Sequence, residues 1–176
     1  AFITFGFTFW FALQLLEKEK PAVASPSIRR WSVVLLTVLT VQLIYGAFVA
    51  GLHAGKMFNT FPMMNGDVLP TGGWVTALGI ENIFNNPATV QFIHRFFAFA
   101  IVFVVGKIYL LSKHSAVTRL QDIAVKFLLV SISIQFLLGI LTVLYQAPIT
   151  LSSLHQIGAF FLFMATILTV FRFRTH

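Results

Sequence analysis

Two histidines stand in matching surroundings. The segments PATVQFIHRFFAF (87–99) and PITLSSLHQIGAF (148–160) share the pattern P-x-T-x4-H-x3-A-F without a gap. Each opens with a proline, which suits a first helical position because its missing N–H would be unpaired there anyway. From each proline to its histidine is seven residues, about two turns or roughly 10 Å of descent. On two parallel membrane helices, His94 and His155 would therefore lie at one depth. Four residues on, along the same faces, stand Ala98 and Ala159, with Gly158 beside the latter, which leaves room below each imidazole.

Neutral imidazole is a good ligand for iron. Two imidazoles at one depth suit a flat macrocycle standing between helices, with one nitrogen on each axial side of its metal. Such bis-histidine ligation leaves no open coordination position and favours electron transfer or a structural role over oxygen binding. Arg95, beside one of the two, could give charge-assisted hydrogen bonds to a carboxylate of such a group, or extend along its own stem to lipid headgroups. Either histidine alone is also explained by a hydrogen bond to a neighbouring helix. The matched depth and flanks favour the shared site.

The elements that must position these residues are membrane spans. The 176-residue chain is 58% hydrophobic, with 21 phenylalanines and only 5 acidic side chains, far above the apolar share of soluble domains. Long apolar runs cover Trp31–Leu52, Val90–Leu111, Ile123–Tyr145 and Ile149–Phe171. Each is long enough, at about 1.5 Å rise per residue, to cross a hydrocarbon core roughly 30 Å thick. A fifth run, Ala1–Leu16, reads as the tail of a further spanning helix, so the chain is expected to be a fragment. It lacks the basic leader and small-residue cleavage site of a signal peptide. The expected fold is all-α: a polytopic membrane protein, an antiparallel four-helix bundle over 30–172 preceded by the helix tail 1–16, a linker 17–29, and an outer loop at about 54–86.

The net charge of +7 is a topology signal. Lys18, Lys20, Arg29 and Arg30 lie between the first two runs; Lys107, Lys113 and Arg119 surround the third connection, with Lys126 just inside the next helix; Arg172 and Arg174 close the chain. Alternating spans put all of them on one side, and the long loop with Lys56, Asp67 and Glu81 on the other. The positive-inside rule places the basic side in the cytoplasm or its organellar equivalent, and the pattern excludes a nucleic-acid surface. With no cysteine, the outer loops hold no disulfide. His53, at the outer end of its helix, reads as a surface residue; His114 and His176 fall in solvated basic segments. Within the loop, WVTALGIENIF is expected to form a short interfacial helix with Trp74 at headgroup level. Two helical stripes, Gln42, Tyr45, Gly46, Val49, His53 and Ser131, Gln135, Gly139, Thr142, Gln146, are expected first of all to mediate helix packing, with a cofactor pocket second. The spans carry no buried carboxylate to serve a proton relay.

GAFVAGLHAGKMFNTFPMM (46–64), QFIHRFFAF (91–99) and LHQIGAFFLF (154–163) resemble, in kind and order, motifs of the carboxy-terminal half of the heme A synthase family, over about residues 30–172. The leading AFITFGFTFWFALQLL is similar to the last helix of that family's amino-terminal half. The resemblance implies two pseudosymmetric four-helix bundles, of which the first is missing here but for its last helix. It implies heme b as cofactor, ligated by His94 and His155, with Arg95, Ala98 and Ala159 lining its site and no catalytic residue in this part. The whole protein would oxidise the C8 methyl of its substrate heme O to the formyl of heme A for cytochrome oxidase. Its partners would be membrane lipid, an electron donor, heme O synthase and further copies of itself, in the bacterial inner membrane or the mitochondrial inner membrane of a eukaryote. His53 departs from the family pattern, and the paired loop cysteines of some members are absent. The alternative reading is a stand-alone bis-histidine b-type cytochrome taking electrons from quinol; a third is a non-heme bundle whose histidines only hydrogen-bond.

Overall fold

The computed structural model describes residues 1–16 and 25–174; Lys18, Lys20 and His176 lie outside the described residues. Helix α1 spans Phe2–Leu16, α2 Pro26–Gly51, α3 Ala54–Met57, α4 Asn82–Asn85, α5 Pro87–Lys113, α6 Arg119–Leu144 and α7 Ile149–Arg172, with a 3-10 turn at Thr76–Glu81 before α4. The four helices α2, α5, α6 and α7 are long and apolar enough to cross a membrane, and the protein is an all-α multi-pass membrane protein. With no water in a bilayer to bond a bare backbone, the helix satisfies its amides internally.

Local signals set the ends. Pro26 starts α2 inside the stretch read as linker, with Ser25 as N-cap, because proline's fixed φ is ready for the first helical turn. Asn86 caps α5 by accepting from the Ala88 amide, ahead of Pro87. Thr118 and Gln121 form a reciprocal capping box on α6, satisfying two amides that the first turn leaves open.

Neighbours around the bundle are α2 with α5, α5 with α6, α6 with α7, and α7 with α2. The helices alternate in direction around this ring, so the two parallel helices α5 and α7 lie across its diagonal. Helix α1 packs outside, on α7: Phe2 meets Phe163 edge-on at 5.4 Å between centroids and Trp10 meets Phe171 at 5.3 Å.

The two ends of the bundle are built differently. Ile28 and Leu35 of α2, Val105 and Ile108 of α5, Val125 and Leu128 of α6, and Ala165 and Ile167 of α7 belong to a close-packed core at the basic end. That core stops at one apolar residue per helix: Leu39, Ile101, Ile132 and Leu162, each nearly inaccessible. Above this floor the helices carry small residues and the interior opens.

The loop between α3 and α5 closes the other end. Asn82 bonds both the amide and carbonyl of Val75 and the Gly79 carbonyl. Asn86 donates to Gly72, and the Thr89 hydroxyl donates to Gly73. These bonds settle turn backbone near the bilayer, where an unpaired polar group is costly. The interfacial helix expected over WVTALGIENIF is broken in two. Gly79 adopts φ 48 and ψ −126, a conformation that side chains disfavour, and the chain turns there. Trp74 is exposed.

Candidate cofactor site

Between the floor and the loop lies a cavity of about 700 Å³, within the roughly 300–1,000 Å³ common for ligand and cofactor sites. All five residues expected at a site line it: His94, Arg95 and Ala98 from α5, and His155 and Ala159 from α7. The diagonal placement of α5 and α7 sets the histidines on opposing walls, each two turns above its floor residue, Ile101 and Leu162.

Each imidazole is held by the outward helix beside it. The Gln42 side-chain amide of α2 donates to His94 Nε2 at 3.3 Å, and that of Gln135 in α6 donates to His155 Nε2 at 3.4 Å. One turn on from each glutamine is a glycine against which the ring lies. A Cβ on Gly46 would stand 3.3 Å from His94 Cε1, and one on Gly139 3.1 Å from His155 Cε1. The pairs α2–α5 and α6–α7 thus repeat one design: Q-x3-G on the outgoing helix and P-x-T-x4-H-x3-A-F on the returning one.

The two polar stripes mediate helix packing, as expected, and they also form walls of the cavity. Gln42, Gly46, Val49 and His53 from one stripe and Gln135, Gly139 and Thr142 from the other line it. The helices pack there through an imidazole laid across the glycine. His53 is exposed, in the left-handed conformation that ends α2, and borders the cavity without joining the two paired histidines.

Arg95 holds the loop. Its two terminal nitrogens donate to the carbonyls of Phe58 at 2.7 Å, Thr60 at 2.8 Å, Met63 at 3.2 Å and Pro62 at 3.3 Å. Gln91, one turn earlier, adds a bond to the Phe58 carbonyl at 3.0 Å. The clamped segment sends Phe61 into the cavity wall, packed against Phe99 and Phe136. Lys56, exposed on α3, borders the cavity too, and among the described residues no acidic side chain does. Sequence reasoning gave Lys56 no role at the site, although a lone cation beside the small residues of GLHAGKM was visible.

The donor set defines what can bind. Among the described residues no cluster of three or more His, Cys, Asp or Glu is placed to hold a metal ion. A bare transition metal wants about four protein ligands, so two imidazoles suit a metal that brings its own equatorial donors. The lining is otherwise mostly apolar and small, as a macrocycle needs. His94 Nδ1, His155 Nδ1, Gln42 Oε1, Gln135 Oε1 and Arg95 Nε are buried with no hydrogen-bond partner. Orphans of this kind are rare in finished cores and mark sites completed by something else.

Comparison with known proteins agrees with this chemistry. A family model described as cytochrome oxidase assembly protein matches residues 1–167. Among curated relatives, the heme A synthase of Flavobacterium johnsoniae is 40% identical over 174 residues, covering 98% of this chain and 51% of the relative. That of Nitrosospira multiformis is 34% identical over 170 residues, 95% of this chain and 48% of the relative. That of Bartonella henselae is 40% identical over 142 residues, 78% and 38% respectively. The chain thus spans about half the length of the first two relatives. No solved structure matches it. With the matched span running through all four membrane helices and both histidines, the chain belongs to the cytochrome oxidase assembly protein family, the family of the heme A synthases.

Proposed function

We propose that the cavity is a heme b site with His94 and His155 as axial ligands, and that the chain is the carboxy-terminal, heme-b-binding half of a heme A synthase. The observation that carries this reading is the pair of glutamine-backed histidines on diagonal helices of one apolar cavity. When bound, such a heme supplies an iron that takes up and gives back single electrons without opening a position to oxygen. The rest is done by the protein. His94 and His155 offer one lone pair each; Ala98 and Ala159 keep the space beside them free. The Leu39, Ile101, Ile132 and Leu162 floor keeps water from the basic end. At the loop end, Lys56 and the unpartnered Nε of Arg95 suit the carboxylates of the propionates.

In this reading the whole protein is an oxidoreductase that converts the C8 methyl of heme O to the formyl of heme A for cytochrome oxidase. The half proposed here relays electrons or supports the fold. The catalytic residues then lie in the part of the relatives that this chain does not match. Heme O synthase, an electron donor, membrane lipid and a second copy are the proposed partners, in the bacterial or mitochondrial inner membrane.

The test is the reduced-minus-oxidised spectrum of the purified protein with extraction of its pigment. A low-spin b-type spectrum supports the reading; a protein that takes up no heme during expression or reconstitution refutes it. The glycines offer a graded version. Gly139→Ala places a Cβ where contact is already 3.1 Å, and Gly46→Ala where it is 3.3 Å. Heme content should fall severalfold in the first and less in the second, with the helices intact by circular dichroism.

A further inference from the structure

Both histidines are engaged through the same nitrogen, by the same group, in the same sense. A side-chain amide nitrogen can only donate, so Nε2 of His94 and of His155 must accept from Gln42 and Gln135. Each ring is then neutral with its proton on Nδ1. A neutral histidine side chain free in water prefers the opposite arrangement, with the proton on Nε2. The Nδ1 atoms have no partner of their own, so nothing at that end of either ring selects the tautomer; the glutamine does.

The Oε1 of Gln135 lies against the Gly158 backbone, where any Cβ would collide with it. The Gln135 amide nitrogen faces the His155 ring, as that of Gln42 faces the His94 ring. At His94, Nδ1 lies on the glycine side, 3.9 Å from a Cβ built on Gly46; at His155 both ring nitrogens lie about equally near a Cβ built on Gly139, at 3.7 and 3.8 Å. The nitrogen that each glutamine engages is Nε2, and its lone pair is the one the amide keeps free of a proton.

We infer that Gln42 and Gln135 are positioning residues that hold both histidines, before any cofactor arrives, in the tautomer able to ligate through Nε2. Each amide is a stand-in for the metal: it occupies the lone pair, fixes the ring, and yields the nitrogen when a stronger acceptor of that lone pair enters. A site already in its competent state avoids the affinity loss that a minority state imposes. The inference deepens the heme reading above, on which its second arm rests; its first arm does not need heme.

The experiment uses Gln42→Met and Gln135→Met, which keep chain length and remove the donor, with Gln→Leu as a second replacement at each site. The first arm is nitrogen-15 NMR of histidine-labelled, heme-free protein. His94 and His155 should show the proton on Nδ1, and each glutamine variant should move its own histidine, not the other, toward Nε2–H. The second arm titrates hemin into the same proteins. Each variant should bind severalfold more weakly, because only part of its histidine is then in the competent tautomer. A purely structural glutamine would lower thermal stability and leave the tautomer unmoved; that result, or Nε2–H already in the wild type, overturns the inference. If the tautomers behave as stated but wild-type protein binds no hemin, the inference stands and the heme reading fails.

Discussion

Replacing His94 or His155 by alanine is expected to remove the low-spin heme signal almost completely. The two are the glutamine-backed imidazoles of the cavity, and the third histidine on its lining, His53, is exposed. Truncation leaves the other imidazole and its glutamine in place, so a single variant should give weak or high-spin binding, and the double variant none. The folded bundle should survive, because the core below Leu39, Ile101, Ile132 and Leu162 is independent of both rings. Heme-to-protein ratio and the reduced spectrum measure this directly. A variant with normal heme content and an unchanged spectrum would remove its histidine from the ligand set.

The second large effect is expected at Arg95. One guanidinium gathers four carbonyls of the Phe58–Met63 segment, a fit that a planar fork of donors can make and a lysine cannot. Arg95→Met should free the segment and withdraw Phe61 from the cavity wall. Hydrogen bonds to a charged group contribute about 1.5–3 kcal/mol each and do not add fully, so a total loss of about 2–4 kcal/mol is expected. Amide exchange across residues 58–65 should speed by about 30- to 1,000-fold on that scale, with α6 and α7 unaffected. Arg95→Lys should recover only a small part. Unchanged protection in Arg95→Met would show that other contacts hold the loop.

Much of this architecture was legible in the residues. Runs of twenty or so apolar side chains between basic connections can be little other than spans, and the aligned prolines set both histidines at one depth. Gln42 and Gln135 were visible as members of polar stripes, yet their role was not. A small residue and an amide at helical spacing are the signature of ordinary helix packing, and only the path of the imidazole across Gly46 or Gly139 separates the two cases. The repeat Q-x3-G, set beside the repeat around the histidines, was the signal that could have found them.

Arg95 was harder for a different reason. Its acceptors are backbone carbonyls of a segment more than thirty residues earlier, and a carbonyl has no letter in the sequence. The same holds for Gly79, whose residue type permits the left-handed turn that breaks the interfacial helix without requiring it. What the sequence conveys well is depth and polarity along each helix. What it conveys poorly is which helix faces which across the diagonal.

In the proposed site two imidazoles, one from α5 and one from α7, ligate a single heme. Near-infrared magnetic circular dichroism of the oxidised, heme-loaded protein reads axial ligands directly. The account predicts the charge-transfer band of a low-spin ferric heme with two neutral imidazoles, lost when either His94 or His155 is replaced. A high-spin, five-coordinate heme in the intact protein, or a bis-imidazole band that persists in the His155→Ala variant, would contradict it.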